Sequence, residues 1–201
     1  TQGVSSAASD VYKRQLREQI AMKIERLYGR NVSADSEVTV TPGATQAIFC
    51  AIQALIHPGD EAIVFDPCYD SYDPSVTLAG GRCIHVPLAE GSFAIDWRRL
   101  EAALSPRTRL IILNTPHNPS GALISRDELD RLAALIRDRD IHIVSDEVYE
   151  HLVFDGRQHA SVLAHDELYA RAFVVSSFGK TYHVTGWKTG YVVAPPALSA
   201  E

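Results

Sequence analysis

The sequence predicts an α/β fold in which helices are layered on a mainly parallel sheet of seven strands. Seven short runs rich in apolar residues, most of them with Val or Ile, are each closed by Gly, Pro, Asn, Asp or Ser and are separated by longer mixed segments. Runs of this kind are typical of strands that are buried on both faces of a sheet. The predicted strands span residues 38–41, 62–65, 83–86, 110–113, 141–144, 173–175 and 191–194.

Helices are predicted in the segments between the strands. One of them opens with Ser125 and Glu128 at the spacing of a capping box, and another ends at Gly29, a residue type that commonly terminates helices. The predicted helices span residues 16–28, 45–56, 96–104 and 125–139. Strands that alternate with helices favour one layered domain, which we place at residues 16–201. Residues 1–15 are small and polar without a period, and we interpret them as a lead or a cloning scar outside that domain.

The composition argues against several classes of protein. With 25 Asp and Glu against 19 Lys and Arg, the chain of 201 residues has a formal net charge of −6, which argues against nucleic-acid binding. No apolar run approaches the ~20 residues that cross a membrane, and the polar N-terminus does not resemble a signal peptide. Cys50, Cys68 and Cys83 lack the spacing of a metal site, so we expect three buried or half-buried thiols in a reducing compartment, the cytoplasm.

Polar residues at the carboxyl ends of the strands are the first candidates for a site, because ligands of an open α/β sheet gather there. After the first strand, Gly43, Ala44 and Thr45 open a helix whose free N–H groups and positive dipole end could hold an anion, although an ordinary turn has the same pattern. After the fourth strand, Asn118 lies in a loop rich in Pro and Gly, which either directs its amide at a ligand or only forms a rigid turn.

The fifth and sixth strands are followed by charged and aromatic residues. Asp146 ends an apolar strand, where a carboxylate is costly to bury without a cation or donor; it is either functional or a structural cap. Tyr149 follows three residues later and could reach the same ligand. Lys180 and Lys188 are either two solvated lysines on a loop, or Lys180 is a reactive amine and Lys188 a second cation near it. In the second case Lys180 would lose its proton more easily, because of the nearby cation and of partial desolvation.

These residues are ambiguous one by one but complementary as a set. Because they lie at one edge of one predicted sheet, they combine an anion cradle, a carboxylate for a cationic nitrogen, donors for an oxygen and an amine nucleophile. Pyridoxal 5'-phosphate offers the matching groups, namely a phosphate, a pyridine nitrogen, a phenolic oxygen and an aldehyde. The set therefore predicts a pyridoxal-phosphate site.

Five motifs carry a resemblance to a known family. They are Pro42-Gly43-Ala44-Thr45, Asp66-Pro67-Cys68-Tyr69-Asp70-Ser71-Tyr72, Asn114-Thr115-Pro116-His117-Asn118-Pro119-Ser120-Gly121, Ser145-Asp146-Glu147-Val148-Tyr149 and Ser177-Phe178-Gly179-Lys180-Thr181-Tyr182-His183-Val184-Thr185-Gly186-Trp187-Lys188. Over about residues 16–201 the chain resembles the fold-type I, class I/II aminotransferases, and within them the methionine and aromatic, kynurenine-type enzymes. The resemblance implies a three-layer α/β/α fold, that of the large cofactor-binding domain.

The resemblance also implies a role for each matched residue. Lys180 matches the lysine that forms the internal aldimine and then shuttles the proton, and Asp146 matches the carboxylate that keeps the pyridine nitrogen protonated. Asn118 and Tyr149 match the two donors to the phenolic oxygen, and Tyr69 matches the aromatic residue stacked on the cofactor ring.

The phosphate end of the resemblance rests on the remaining site residues. Gly43, Ala44 and Thr45 match the backbone cradle, and Ser177 matches a hydroxyl donor. Lys188 stands where many relatives have Arg, so it offers a point charge without the bidentate fork of a guanidinium. The implied site holds pyridoxal phosphate and no metal.

The implied activity is the transfer of an amino group from an amino acid, with methionine or aromatic donors preferred, to a 2-oxo acid. The implied protein is a cytoplasmic homodimer. Three alternatives stay open: a C–S β-lyase with the same motifs, the effector domain of a transcription regulator, and a nucleotide-binding domain without pyridoxal phosphate. The last would prefer a GxGxxG turn after the first strand, which Gly43-Ala44-Thr45 lacks.

The length bears on activity. Relatives are about twice as long, and the resemblance implies that their small C-terminal domain, with the arginine that binds the substrate carboxylate, and their N-terminal arm are not in this sequence. We therefore expect a cofactor-binding fragment that transaminates poorly by itself.

Overall fold

Seven strands form one sheet in the computed structural model, which describes the backbone of residues 2–200 and the side chains of residues 13–200. The strands are β1 (Val38–Thr41), β2 (Glu61–Asp66), β3 (Arg82–Pro87), β4 (Thr108–Asn114), β5 (His142–Asp146), β6 (Ala172–Ser177) and β7 (Gly190–Val193). Their order across the sheet is β1-β7-β6-β5-β4-β2-β3. All seven predicted strands are present.

One strand runs against the others. β7 is antiparallel to both of its neighbours, β1 and β6, whereas all other neighbouring pairs are parallel. The connection from β6 to β7 contains only short helical turns and not the long helix that usually joins parallel neighbours. The prediction of a mainly parallel sheet is confirmed, and this arrangement brings the start of β7 to the carboxyl ends of β1 and β6.

Helices cover both faces of the sheet and complete three layers. They are α1 (Gln2–Tyr28), α2 (Ala44–Leu55), α3 (Tyr72–Leu78), α4 (Trp97–Ala103), α5 (Arg126–Ile136), α6 (Asp166–Tyr169), α7 (Phe178–Thr181) and α8 (Pro196–Ser199), with 3₁₀ turns at Val162–Ala164 and Thr185–Trp187. One apolar core joins the sheet to α1, α4, α5 and α6, and a second joins it to α2, α3 and α8. The three-layer α/β/α prediction is confirmed.

Burial on both faces explains why the strands are continuous apolar runs. Ile111 and Ile112 are neighbours in β4, yet they belong to different cores because successive side chains point to opposite faces. The caps also follow the sequence. Ser125 and Glu128 form the capping box at the start of α5, and Asp96 accepts hydrogen bonds from two backbone N–H groups at the start of α4.

Two expectations from the sequence are corrected by the structure. The first helix was expected to start at residue 16, but α1 extends back to Gln2, so most of residues 1–15 are helical. Thr1 lies outside the described residues, and the assignment of residues 1–15 to a lead or scar stays a prediction. All three cysteines are free thiols, but Cys50 is exposed on α2 and is not a buried thiol. Among the described residues, no helix is both long and apolar enough to cross a membrane.

Candidate functional site

A cavity of about 650 Å³ opens at the edge of the sheet where β1, β4, β5 and β6 end. All ten residues that the sequence singles out line it. They are Gly43, Ala44, Thr45, Tyr69, Asn118, Asp146, Tyr149, Ser177, Lys180 and Lys188. Residues up to 145 positions apart in the chain are thus brought together as expected from the ends of parallel strands. Their roles are not decided by this proximity.

The start of α2 forms one end of the cavity. Gly43, at φ +86°, is the N-cap of α2, and within the described residues no side chain caps this end. The first N–H groups of the helix are therefore available to a ligand. Gly190 at the start of β7 packs against this turn so closely that a Cβ there would lie 2.5 Å from the backbone nitrogen of Ala44. This contact fixes Lys188, just before β7, beside the helix end.

Asp146 also lines the cavity, buried to 4% exposure as the last residue of β5. The hydroxyl of Tyr72 donates to its Oδ2 at 2.7 Å, and the backbone N–H of Val148 is 3.3 Å from Oδ1. Burial raises the pKa of Asp146 to about 6, although both hydrogen bonds act to lower it. The carboxyl group is therefore oriented, but burial penalises its negative charge.

Two neighbouring carboxylates are neutralised where Asp146 is not. Glu147 is 2.7 Å from Nε2 of His159, and Glu150 is 2.6 Å from Nζ of Lys23. Burial alone would raise the pKa of Glu150, but the ammonium of Lys23 outweighs it and the pKa is lowered. Among residues 13–200, no Lys, Arg or His forms an ion pair with Asp146. The site thus presents one buried carboxylate that lacks a cationic partner.

Asn118 and Tyr149 also line the cavity, and both are half-buried. The loop of Asn118 is held by Asn114, whose Oδ1 accepts from the backbone N–H of Asn118 at 2.8 Å. The amide of Asn114 also donates to the backbone carbonyl of Asp146 at 3.1 Å, so the loop is tied to β5. This arrangement holds Asn118 in place at the cavity wall.

Lys180 lies on α7 at the mouth of the cavity. Its Nζ is 5.6 Å from the centroid of the Tyr149 ring, a cation–π distance. Ser177 caps α7 by accepting from the N–H of Gly179 at 3.1 Å, which leaves the hydroxyl proton free to donate. The sequence suggested a partly desolvated Lys180, but the side chain is exposed because α7 is short and lies at the open edge of the sheet.

Sequence reasoning missed the role of Tyr72. Its ring is almost completely buried and packs edge to face with Tyr69 at a centroid distance of 5.7 Å. The same side chain reaches Asp146, so it links the aromatic wall of the cavity to the buried carboxylate. The spacing of three residues from Tyr69 was the available signal, since residues i and i+3 lie close in a helical turn.

Comparisons with known proteins identify the family. The family model "Aminotransferase class I and II" matches residues 7–200. The methionine aminotransferase of Escherichia coli (strain K12) is 52% identical over 200 residues, which cover 100% of this chain and 52% of that protein. Human kynurenine–oxoglutarate transaminase 3 is 39% identical over 184 residues, covering 87% of this chain and 40% of that protein.

The fold agrees as well. The crystal structure of YbdL from Escherichia coli, reported with a methionine aminotransferase function, superposes with a TM-score of 0.90 at 55% identity and covers 92% of this chain and 49% of that one. The chain spans about half the length of the curated relatives it matches. These matches confirm the resemblance and favour an aminotransferase over the lyase, the regulator and the nucleotide-binding domain.

Proposed function

Because the chain belongs to the class I and II aminotransferase family, we propose that the whole protein uses pyridoxal 5'-phosphate to move an amino group from an amino acid to a 2-oxo acid. The observation that carries the proposal is the buried, unneutralised carboxylate of Asp146 in the same cavity as an uncapped helix start and the amine of Lys180. A carboxylate in this state stabilises a cation, and a helix start stabilises an anion.

The residues present fit the chemical groups of this cofactor. The N–H groups of Ala44 and Thr45, the hydroxyl of Ser177 and the ammonium of Lys188 would hold the phosphate. Asp146 would face the pyridine nitrogen and keep it protonated. A cation beside Asp146 would also lower the pKa of its carboxyl from about 6, which offsets the penalty that burial imposes on the unpaired carboxylate.

The phenolic oxygen and the ring face have matching partners as well. Asn118 and Tyr149 would donate to the oxygen, and Tyr69 would cover the ring face. The Tyr69 ring is itself supported by Tyr72 from the side. These contacts would hold the ring in one orientation, with Lys180 at the remaining end.

When bound, pyridoxal phosphate supplies a cationic ring that accepts electron density from the α-carbon of the amino acid. Lys180 would act as the general base: its unprotonated Nζ would take the proton from the substrate α-carbon and later return it. Asp146 would stabilise the positive charge of the ring nitrogen. Tyr149 lies beside the Lys180 amine, where its ring would favour the ammonium form, and its hydroxyl would donate to the phenolic oxygen.

We propose methionine and aromatic amino acids as preferred donors. Among the amino donors to be tested, the expected order is methionine, phenylalanine, histidine and glutamine. Support comes from the 52% identity to a methionine aminotransferase and from Ile48, Phe49 and Val148, which give the cavity an apolar wall. We also propose a cytoplasmic homodimer. Two exposed aromatic side chains in the segment between Lys180 and Lys188, Tyr182 at 58% and Trp187 at 77%, are suited to an interface with a second copy.

The proposal is tested on the whole protein incubated with pyridoxal phosphate and then reduced with borohydride. Peptide mapping by mass spectrometry should find the cofactor on Lys180. The variant Lys180→Ala should lose the label and reduce transamination by about 10²-fold to 10⁴-fold or more, because the general base is gone. The variant Lys13→Ala is the matched control, since Lys13 is an exposed lysine outside the cavity.

The amino donors are tested with a 2-oxo acid as acceptor, and the products are identified. Turnover that requires the acceptor and yields the oxo acid of the donor supports the proposal. Pyruvate and ammonia formed without an acceptor would indicate a lyase instead. Label on a residue other than Lys180, or equal activity of Lys180→Ala and wild type, would contradict the proposed role of Lys180.

A further inference from the structure

Two thiols, an imidazole and two carboxylates form a compact cluster on one face of β3, beside the carboxyl end of β2 and the start of α3. The cluster consists of Asp66, Cys68, Asp73, Cys83 and His85. None of these five described residues lines the cavity of the proposed site. The cluster is therefore a separate feature of the fold.

The fold explains how distant residues meet here. Cys83 and His85 are two positions apart in β3, so they point to the same face of this edge strand. β2 pairs in parallel with β3 and ends at Asp66, two residues before Cys68. Helix α3, which packs on the same face, contributes Asp73. Three elements thus converge, and no short sequence motif reveals the convergence.

The distances are close to those of a metal site. Nδ1 of His85 is 3.0 Å from Asp66, and its Nε2 is 3.1 Å from Asp73. The ligand atoms of Asp66, Cys68 and His85 all lie within 4.8 Å of one another, and so do those of Asp73, Cys83 and His85. In a tetrahedral zinc site with bonds of about 2.0–2.3 Å, ligand atoms are separated by about 3.3–3.8 Å. Movements of about 1 Å in the ligand atoms would bring either set to these separations.

The charges of the cluster favour a cation. Burial, and then the nearby Asp66, raise the pKa of the Cys68 thiol to about 11, and burial with Asp73 raises that of Cys83 to about 12. Hydrogen bonding to Asp66 is the main reason that the pKa of His85 is raised. Asp66 and Asp73 lie beside the imidazole and the thiols, and their negative charge favours a cation at this position.

We propose that this cluster binds one divalent cation of the zinc class through His85 and the carboxylate and thiol on one side of its ring, either Asp66 and Cys68 or Asp73 and Cys83. Sulfur and imidazole ligands select zinc over magnesium or calcium. Whichever nitrogen of His85 binds the ion, the other faces a carboxylate, and this is the outer contact that orients most metal-bound histidines. Each thiol that binds the ion releases its proton to solvent.

The site would act on the segment between β2 and α3. An ion bound there ties residues 66–73 to β3, and this segment carries Tyr69 and Tyr72. Tyr69 lines the cavity, and Tyr72 donates to Asp146. Metal binding itself does not depend on the proposed function, because none of the five residues is assigned to the cofactor.

The experiment uses the purified, reduced protein, first stripped of metal with a chelator. Cobalt(II) is added and its spectrum is recorded, and zinc is then used to displace it. We expect one ion per chain, thiolate-to-cobalt charge transfer and the intense visible bands of a tetrahedral ion. Because second-shell contacts alone are worth about 10-fold to 100-fold in affinity, the double variant Cys68→Ser, Cys83→Ser should bind at least about 100-fold more weakly.

Controls separate the site from general thiol binding. The variant Cys50→Ser removes the exposed thiol outside the cluster and should bind cobalt like the wild type. The variant His85→Gln changes an exposed side chain and decides the question if the double cysteine variant does not fold. Wild-type protein that binds no cobalt, a spectrum without the thiolate band, or unchanged affinity in His85→Gln overturns the proposal.

Discussion

Replacing Asp146 with Asn should stabilise the cofactor-free protein at neutral pH. Burial raises the pKa of Asp146 from 3.8 to about 6, so the folded chain binds this proton more tightly than the unfolded chain does. Stability from this group is then fully present below pH 3.8 and is lost as the pH rises from about 4 to about 6. A rise of about 2 in pKa corresponds to about 3 kcal/mol, and at pH 7 this whole penalty is present.

The substitution removes the penalty but also weakens two hydrogen bonds. An Asn amide can still accept from Tyr72, whereas the contact with the N–H of Val148 is weakened or lost, at about 1 kcal/mol. We therefore expect Asp146→Asn to be about 2 kcal/mol more stable than wild type at pH 7. At pH 4 the gain disappears and a small loss remains.

The assay is urea unfolding of both proteins, freed of cofactor, at intervals from pH 4 to pH 8. The variant Asp138→Asn, which neutralises an exposed carboxylate, is the control and should show no such trend. Added pyridoxal phosphate should stabilise the wild type more than Asp146→Asn, since the variant cannot hold the cationic ring nitrogen. The reasoning is refuted if the stability difference between Asp146→Asn and wild type stays flat from pH 4 to pH 6.

Three further substitutions probe the packing around the site by the same unfolding measurements. Tyr72→Phe removes the hydrogen bond to Asp146, so the pKa of that carboxyl should rise by about 1 to 2. The loss of stability should then occur at higher pH than in the wild type, and an unchanged pH profile contradicts this. Gly190→Ala places a Cβ against the first turn of α2 and should cost about 3 kcal/mol, which wild-type stability of the variant would disprove. Burial lowers the pKa of His159, but the effect of Glu147 in raising it is larger, so the net change is upward. The pair therefore stabilises the fold most below pH 6.5, and this contribution is lost as the pH rises through the pKa of the folded state. His159→Gln should therefore cost more at pH 5.5 than at pH 8, and the opposite order is evidence against the ion pair.

The strands could be predicted because burial on both faces leaves a plain mark in the sequence. β4 was expected at residues 110–113 and spans Thr108–Asn114, and the additional residues are polar ends that carry no apolar signal. The length of α1 was not predictable from periodicity, since residues 2–15 have no regular apolar stripe. The direction of β7 was not assigned either, because it depends on the connection before the strand and not on the apolar run of the strand itself.

The candidate site could be predicted because polar residues at the ends of apolar strands are unusual. Asp146 and Lys180 stand out in this way, and both line the cavity. Tyr72 did not stand out, because a tyrosine at the start of a seven-residue helix has the pattern of an ordinary core residue. The cluster around His85 was also missed, since its members come from three elements and meet only in the folded chain.

The acidic end of β5 shows how structure separates a candidate ligand-binding carboxylate from structural ones. Asp146, Glu147 and Glu150 are all buried within five residues, and sequence pattern does not rank them. Glu147 and Glu150 point away from the cavity into ion pairs with His159 and Lys23, so their charges are already balanced within the chain. Asp146 alone of the three lines the cavity, where its charge is oriented by hydrogen bonds but left for a cation from outside the chain. A fold gains nothing in stability from such a group, and this is the physical reason to assign Asp146 to ligand binding.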